Sequence, residues 1–245
     1  MIDRFQLLYE YDGGDLGVWD SLTRNTNLTE EQIDLLYQTK GVDKNYLAQY
    51  PKLTEEQFMR FFNDEQVEKR YLSQNPHLTE EQIDLLYKTK GADKNHLAHF
   101  PKLTEEQFMR FFNDVDVDKN YLARNPNLTK EQIDLLYRTE GVDKELLAAI
   151  PKLTDEQFMR FFKDEDVGKD YLARNSHLTE EQIDLLYQTK GGSKGWVARY
   201  SKLTDEQFMR FFNEEGLYEQ YLAQNPSINP DSEQVFTKGI FNWRW

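Results

Sequence analysis

The chain has no cysteine among its 245 residues. This excludes disulfide staples and thiolate metal sites, and it fits a reducing interior. Histidine is scarce, with four residues. No apolar run approaches the roughly 18 residues of a membrane-crossing helix. Positive charge is in the minority, with 30 Lys and Arg against 44 Asp and Glu, a net charge of −14. Direct nucleic-acid binding needs a basic footprint and is disfavoured; a basic protein partner is favoured. Met1 to Tyr11 has charges inside its short apolar stretch and lacks a signal-peptide pattern. The expected location is cytoplasmic, or the interior of a host cell.

Catalytic patterns are also missing. Gly191, Gly192 and Gly195 have the wrong spacing for a phosphate loop, and no strand signal precedes them. His77 and His177 occupy the slot that holds Asn27 and Asn127 elsewhere, which marks turn residues. His96 and His99 are three apart, a spacing that suits a metal, yet no other repeat carries the pair and no placed carboxylate completes it. No catalytic residue, metal ligand or cofactor site is expected, and an enzyme is not the reading.

What is present is a repeat. Leu-Thr-x-x-Gln begins at Leu28, Leu53, Leu78, Leu103, Leu128, Leu153, Leu178 and Leu203. Odd copies continue as Ile-Asp-Leu-Leu-Tyr, from Ile33 to Tyr37, and even copies as Phe-Met-Arg-Phe-Phe, from Phe58 to Phe62. The full period is therefore 50 residues in two unlike halves. Such a period marks a solenoid, in which each unit buries its apolar face only against its neighbours. The expected fold class is all-α: an elongated solenoid of eight 25-residue half-repeats at residues 27–226. Residues 1–26 form an eroded N-terminal capping half-repeat, and residues 227–245 a C-terminal cap helix with an aromatic tail.

Within one unit the helix start is over-determined. Thr29 is a good N-cap, and Gln32 is placed to complete a capping box. Glu30 and Glu31 lie where the helix dipole favours negative charge. Ile33, Leu36 and Tyr37 share one face at helical spacing. Gly41 suits a left-handed exit. Lys44 to Tyr50 reads as a second, shorter helical segment, with Leu47 pointing inward and Pro51 ending it; a 3₁₀ turn is an alternative. Asn25, Asn75, Asn125, Asn175 and Asn225 recur at the joint between halves, where Asn side chains satisfy turn backbone groups well.

The segment Tyr121 to Tyr137, Tyr-Leu-Ala-Arg-Asn-Pro-Asn-Leu-Thr-Lys-Glu-Gln-Ile-Asp-Leu-Leu-Tyr, resembles the variant leucine-rich repeat family. The likeness recurs at Tyr71 to Tyr87 and Tyr171 to Tyr187. The resemblance implies a right-handed superhelix alternating α segments with 3₁₀ or short α segments. Here the repeat is 25 residues rather than about 24, and odd halves end in Tyr50-Pro51, Phe100-Pro101, Ile150-Pro151 or Tyr200-Ser201 rather than Asn-Pro. A cysteine-ligated cluster cannot carry over. The resemblance speaks to architecture more than to function.

Two surfaces are candidates for binding. The first is an acidic edge of first-turn residues: Glu30, Glu31, Glu55, Glu56, Glu80, Glu81, Glu105, Glu106, Glu131, Asp155, Glu156, Glu180, Glu181, Asp205 and Glu206, with Lys130 as the one exception. Without these fifteen charges the chain would stand near +1, so the row accounts for the whole imbalance. The plain reading is helix capping; the sharper one is a docking edge for a basic protein. The second surface is the short-helix face that varies between odd units: Tyr46, His96, Leu146 and Trp196 in one slot, Asn45, Asn95, Glu145 and Gly195 in the next, and Gln49, His99, Ala149 and Arg199 in another. Drift at exposed positions is the plain reading there; a reading surface anchored by Trp196 is the sharper one.

The leading functional expectation is a non-enzymatic protein-interaction solenoid using the acidic edge, the variable face, or both. An acidic decoy that inhibits a nucleic-acid-binding protein is an alternative. Density disfavours close phosphate-by-phosphate mimicry from this stripe alone, since two acids per roughly 10 Å fall well short of one charge per roughly 1.7 Å of duplex; a looser electrostatic complement stays open. A structural spacer or assembly component is the third reading. The oligomeric state is not legible.

Overall fold

The computed structural model describes residues 21–99, 102–189, 193–214 and 219–225. Most of the two expected caps therefore lies outside the described residues. The chain divides into two compact units, Met1–Asn127 and Leu128–Trp245. All regular structure among the described residues is helical. The first unit holds α1 (Glu30–Gln38), α2 (Lys44–Gln49), α3 (Glu55–Asn63), α4 (Lys69–Leu72), α5 (Glu80–Tyr87), α6 (Lys94–His99), α7 (Glu105–Asn113) and α8 (Lys119–Ala123). The second holds α9 (Lys130–Tyr137), α10 (Lys144–Ala148), α11 (Asp155–Lys163), α12 (Lys169–Ala173), α13 (Glu180–Gln188), α14 (Ser193–Tyr200), α15 (Asp205–Asn213) and α16 (Glu219–Leu222). Each unit is a run of helix pairs contacting their neighbours, the all-α repeat architecture that the periodicity implies. The second member of each pair is a short α-helix, not a 3₁₀ turn.

Every long helix opens with the expected capping box: the Thr hydroxyl accepts from the Gln backbone N–H, and the Gln Oε1 accepts from the Thr backbone N–H. The odd-half helices α1, α5 and α9 are followed by left-handed glycines at Gly41, Gly91 and Gly141, with φ of +91°, +86° and +81°. The short helices have caps of their own. Asp43, Asp118 and Asp143 each accept from a backbone N–H two residues on.

The fourth and seventh residues of each long helix face the core, with Phe208 of α15 only half-buried. Ile33, Leu36, Ile83 and Leu86 do so in odd halves of the first unit, and Phe58, Phe61, Phe108 and Phe111 in even halves, all fully buried. Leu47, Ala48, Leu72, Leu97 and Leu122 close the core from the short helices. Fully burying one such side chain is worth about 1.5–3 kcal/mol. Short helices contact one another in each unit, α2 with α4, α6 with α8, α10 with α12 and α14 with α16. The long helices are joined by side chains.

That joining rests on the capping glutamines. Gln57 Nε2 donates to the backbone carbonyl of Glu30 at 2.9 Å and to Asp34 Oδ1 at 2.8 Å. Gln107, Gln157 and Gln207 repeat this with Glu80 and Asp84, Lys130 and Asp134, and Glu180 and Asp184. One amide thus caps its own helix and fastens it to the preceding one. The Asn column does likewise at the joints. Asn75 Nδ2 donates to the Ala48 and Pro51 carbonyls, and its Oδ1 accepts from His77 N–H, all at 2.9 Å. Asn225 bonds the Ala198 and Ser201 carbonyls in the same manner. Asn175 is the variation: it reaches the Ile150 carbonyl, where Lys152 turns left-handed at φ +67°.

Candidate functional site

Cations and internal acids form a node in every odd–even pair. Tyr37 O–H donates to Asp64 Oδ2 at 2.7 Å, and Lys44 Nζ donates to the same oxygen at 2.8 Å. Arg60 pairs with Asp34 and lies over the Tyr37 ring, its Cζ 4.4 Å from the centroid. Phe61 meets the Tyr37 ring edge-on at 5.0 Å. Tyr87, Lys94, Arg110 and Asp114 repeat the arrangement, as do Tyr137, Lys144, Arg160 and Asp164. Lys194 pairs with Glu214 in the last copy. The lysines midway between these turn to backbone: Lys69 Nζ donates to the Val67 carbonyl at 3.0 Å and Lys119 Nζ to the Val117 carbonyl at 2.9 Å.

The node is stabilising and pH-sensitive. The ammonium groups of Lys44, Lys94 and Lys144 hold the carboxyls of Asp64, Asp114 and Asp164 down to about 2, against a partial burial that pushes the other way. A lowered folded-state value means that the stabilisation is complete above the unfolded carboxyl range and is lost as pH falls from about 4 towards about 2. Burial, then the hydrogen bond to Asp64, raises Tyr37 above its usual value. Tyr87 and Tyr137 are raised in the same way. That contribution is lost as pH rises beyond about 10. Chemical denaturation as a function of pH should show both flanks. Asp114→Asn should flatten the acid flank, and an unaltered acid slope in that variant would remove this node as its cause.

The acidic edge stands outside these nodes. All fifteen of its acids are exposed. Some of them anchor neighbours: Gln82 Nε2 donates to Glu55 Oε2 at 2.8 Å and Gln182 Nε2 to Asp155 Oδ1 at 2.9 Å. The donors are neutral amides, so the charge remains. Lys130 and Glu156, both exposed, approach at 4.0 Å. Between α5 and α7 the edge lines an open groove of about 430 Å³, with Glu80, Glu81, Glu105 and Glu106 around the Arg110–Asp84 pair.

The variable face is half-buried rather than open. Tyr46 meets the ring of Tyr71 edge-on at 6.1 Å, with Arg24 stacked over it at 4.4 Å. His96 Nδ1 lies 2.9 Å from Asp93 Oδ2, and its ring is 5.8 Å from that of Tyr121. His99 also contacts Tyr121, and burial lowers its pKa. Among the described residues no group of three His, Asp or Glu is arranged for a metal ion. Leu146 is half-buried. Trp196 stacks on Tyr200 at 5.7 Å under the guanidinium of Arg174, and Arg199 lies 5.1 Å from the Tyr200 ring.

The neighbouring variable slot proves structural. Asn45 Oδ1 and Asn95 Oδ1 accept from the backbone N–H of Glu68 and Asp118 at 2.9 Å, and Glu145 Oε1 accepts from Gly168 N–H at 3.3 Å. Gly195 makes room instead, since a Cβ there would lie 3.1 Å from the Tyr221 ring. Sequence variation alone does not separate these positions from free ones, because Asn45, Asn95 and Glu145 each hold a partner 23 residues away.

Residues 53–61, 103–111, 153–161 and 203–211 match the FMRFamide related peptide family. These four stretches run from the Leu before each Thr cap to Phe61, Phe111, Phe161 and Phe211, the buried seventh residues of α3, α7, α11 and α15. They cover a small part of the chain. In this protein the Phe-Met-Arg-Phe run is helical, with Phe58 and Phe61 in the core and Arg60 paired to Asp34. No curated protein and no solved structure matches the chain.

Proposed function

We propose that this chain is a protein-interaction repeat that engages a basic protein partner along its acidic edge. One observation carries the reading. Lys44, Lys94, Lys144 and Lys194, with Arg60, Arg110, Arg160 and Arg210, are engaged by Asp or Glu inside the repeats. These eight cations pair with acids of the scaffold, and the first-turn row is exposed. Helix capping explains why an acid suits each of these positions, but it does not require two per helix. A row of one sign also steers an oppositely charged partner and sets which surface it meets. The helix pairs and the buried joint asparagines further support placing the repeat with the variant leucine-rich kind.

The test is a titration with a fluorescent octa-arginine peptide at rising salt. Binding should weaken steeply with ionic strength. The triple change Glu56→Gln, Glu81→Gln and Glu106→Gln should cost about tenfold, from three exposed pairs at roughly 0.2–1 kcal/mol each. Equal affinity of the triple variant and the parent would remove the acidic edge from the interface.

A further inference from the structure

The long helices carry apolar residues that the core does not use. In α11 the core takes Phe158 and Phe161, and the next residue after Phe158, Met159, is only half-buried. In α13 the core takes Ile183 and Leu186 and leaves Leu185 half-buried. The helices bring these two together. Met159 and Leu185, above the buried Phe158 ring, line a groove of about 280 Å³ whose remaining wall includes Asp155 and Glu181. No lysine or arginine lines it. The rim is fixed, because Gln182 Nε2 holds Asp155 Oδ1 at 2.9 Å.

The same residue set stands one hundred positions earlier. Phe58, Met59 and Leu85 have the same burial, and Gln82 holds Glu55 with the same hydrogen bond, at 2.8 Å. An apolar floor between exposed carboxylates is badly served by water on one count and well served on the other. The occupant that suits both is an apolar side chain with cations on either side of it. Met adapts its shape to such a guest, and a desolvated apolar anchor inside a charged rim is the usual anatomy of an energetic interface.

We propose that the groove between α11 and α13, with its counterpart at α3 and α5, receives an aliphatic side chain from a basic partner segment, whose flanking Lys or Arg residues meet Asp155 and Glu181. This deepens the acidic-edge reading and rests on it.

Two labelled heptapeptides separate the two claims on the full chain: seven lysines, and the same peptide with leucine at the centre. Charge alone makes the leucine peptide the weaker ligand, since it has lost a cation. Insertion into the groove makes it about tenfold tighter, from burial of one side chain. Met59→Ser with Met159→Ser should abolish that gain and leave the affinity for heptalysine unchanged. Leu85→Gln with Leu185→Gln is the second variant pair, and helical circular dichroism checks that each variant is folded. Heptalysine binding as tightly as the leucine peptide would overturn the groove and leave the edge standing. Failure of both peptides to bind would overturn both.

Discussion

Asn75→Ala is expected to destabilise the protein by about 2–4 kcal/mol, since it leaves two carbonyls of a closed joint without a donor. The side chain is 2% exposed and makes three hydrogen bonds, two outward to the Ala48 and Pro51 carbonyls and one inward from His77 N–H. Ala48 and Pro51 are themselves buried, so water does not replace the lost amide readily. Urea unfolding should show a lower midpoint with little change in slope. Asn75→Asp is the sharper variant. It keeps the acceptor for His77 but turns a charged oxygen towards two carbonyl oxygens, and it should cost more than alanine near neutral pH. A loss below about 0.5 kcal/mol for both variants, the size of an ordinary surface change, would mean that the joint is not closed as described.

Phe111→Ala is expected to cost about 3–5 kcal/mol, as other large-to-small changes in a filled core do. Phe111 is fully buried, and its ring meets Tyr87 at 5.1 Å in an edge-on contact that also positions the tyrosine beneath Arg110. Phe112, one residue on, is half-buried and stacks on Phe108 at 6.0 Å. Phe112→Ala should therefore cost less than half as much. Thermal or urea unfolding of the two variants side by side reads the helix register directly. Equal losses, or a greater loss at Phe112, would place the wrong face of α7 in the core.

Some elements are legible in the sequence. Leu-Thr-x-x-Gln announces a capped helix start because the cap is a local device, closed within four residues. The alternation of Ile-x-x-Leu with Phe-x-x-Phe gives the core face from helical spacing alone. Gly41, Gly91 and Gly141 mark exits because their positive φ is a property of the single residue. The capping role of the glutamines could be read in the same way. Their second bond to the previous helix could not, because nothing local in Gln57 names Glu30 or Asp34 as a partner. A signal was present nonetheless. Asp34, Asp84, Asp134 and Asp184 recur at the period of Gln57, Gln107, Gln157 and Gln207, 23 residues behind them.

The amino-acid order by itself determined the helices, their caps, the buried face and the 50-residue period, since each follows from contacts within one turn or from simple repetition. Tertiary structure alone decided which charges remain available. Whether an acid faces water or a cation depends on residues 20 to 27 positions away, and those distances are set only when helices stack. The same holds for the variable face, half-covered by neighbouring Tyr residues, and for the Met159–Leu185 groove, whose two walls come from different repeats. Local propensity builds the elements; charge pairing and leftover apolar surface are properties of their packing.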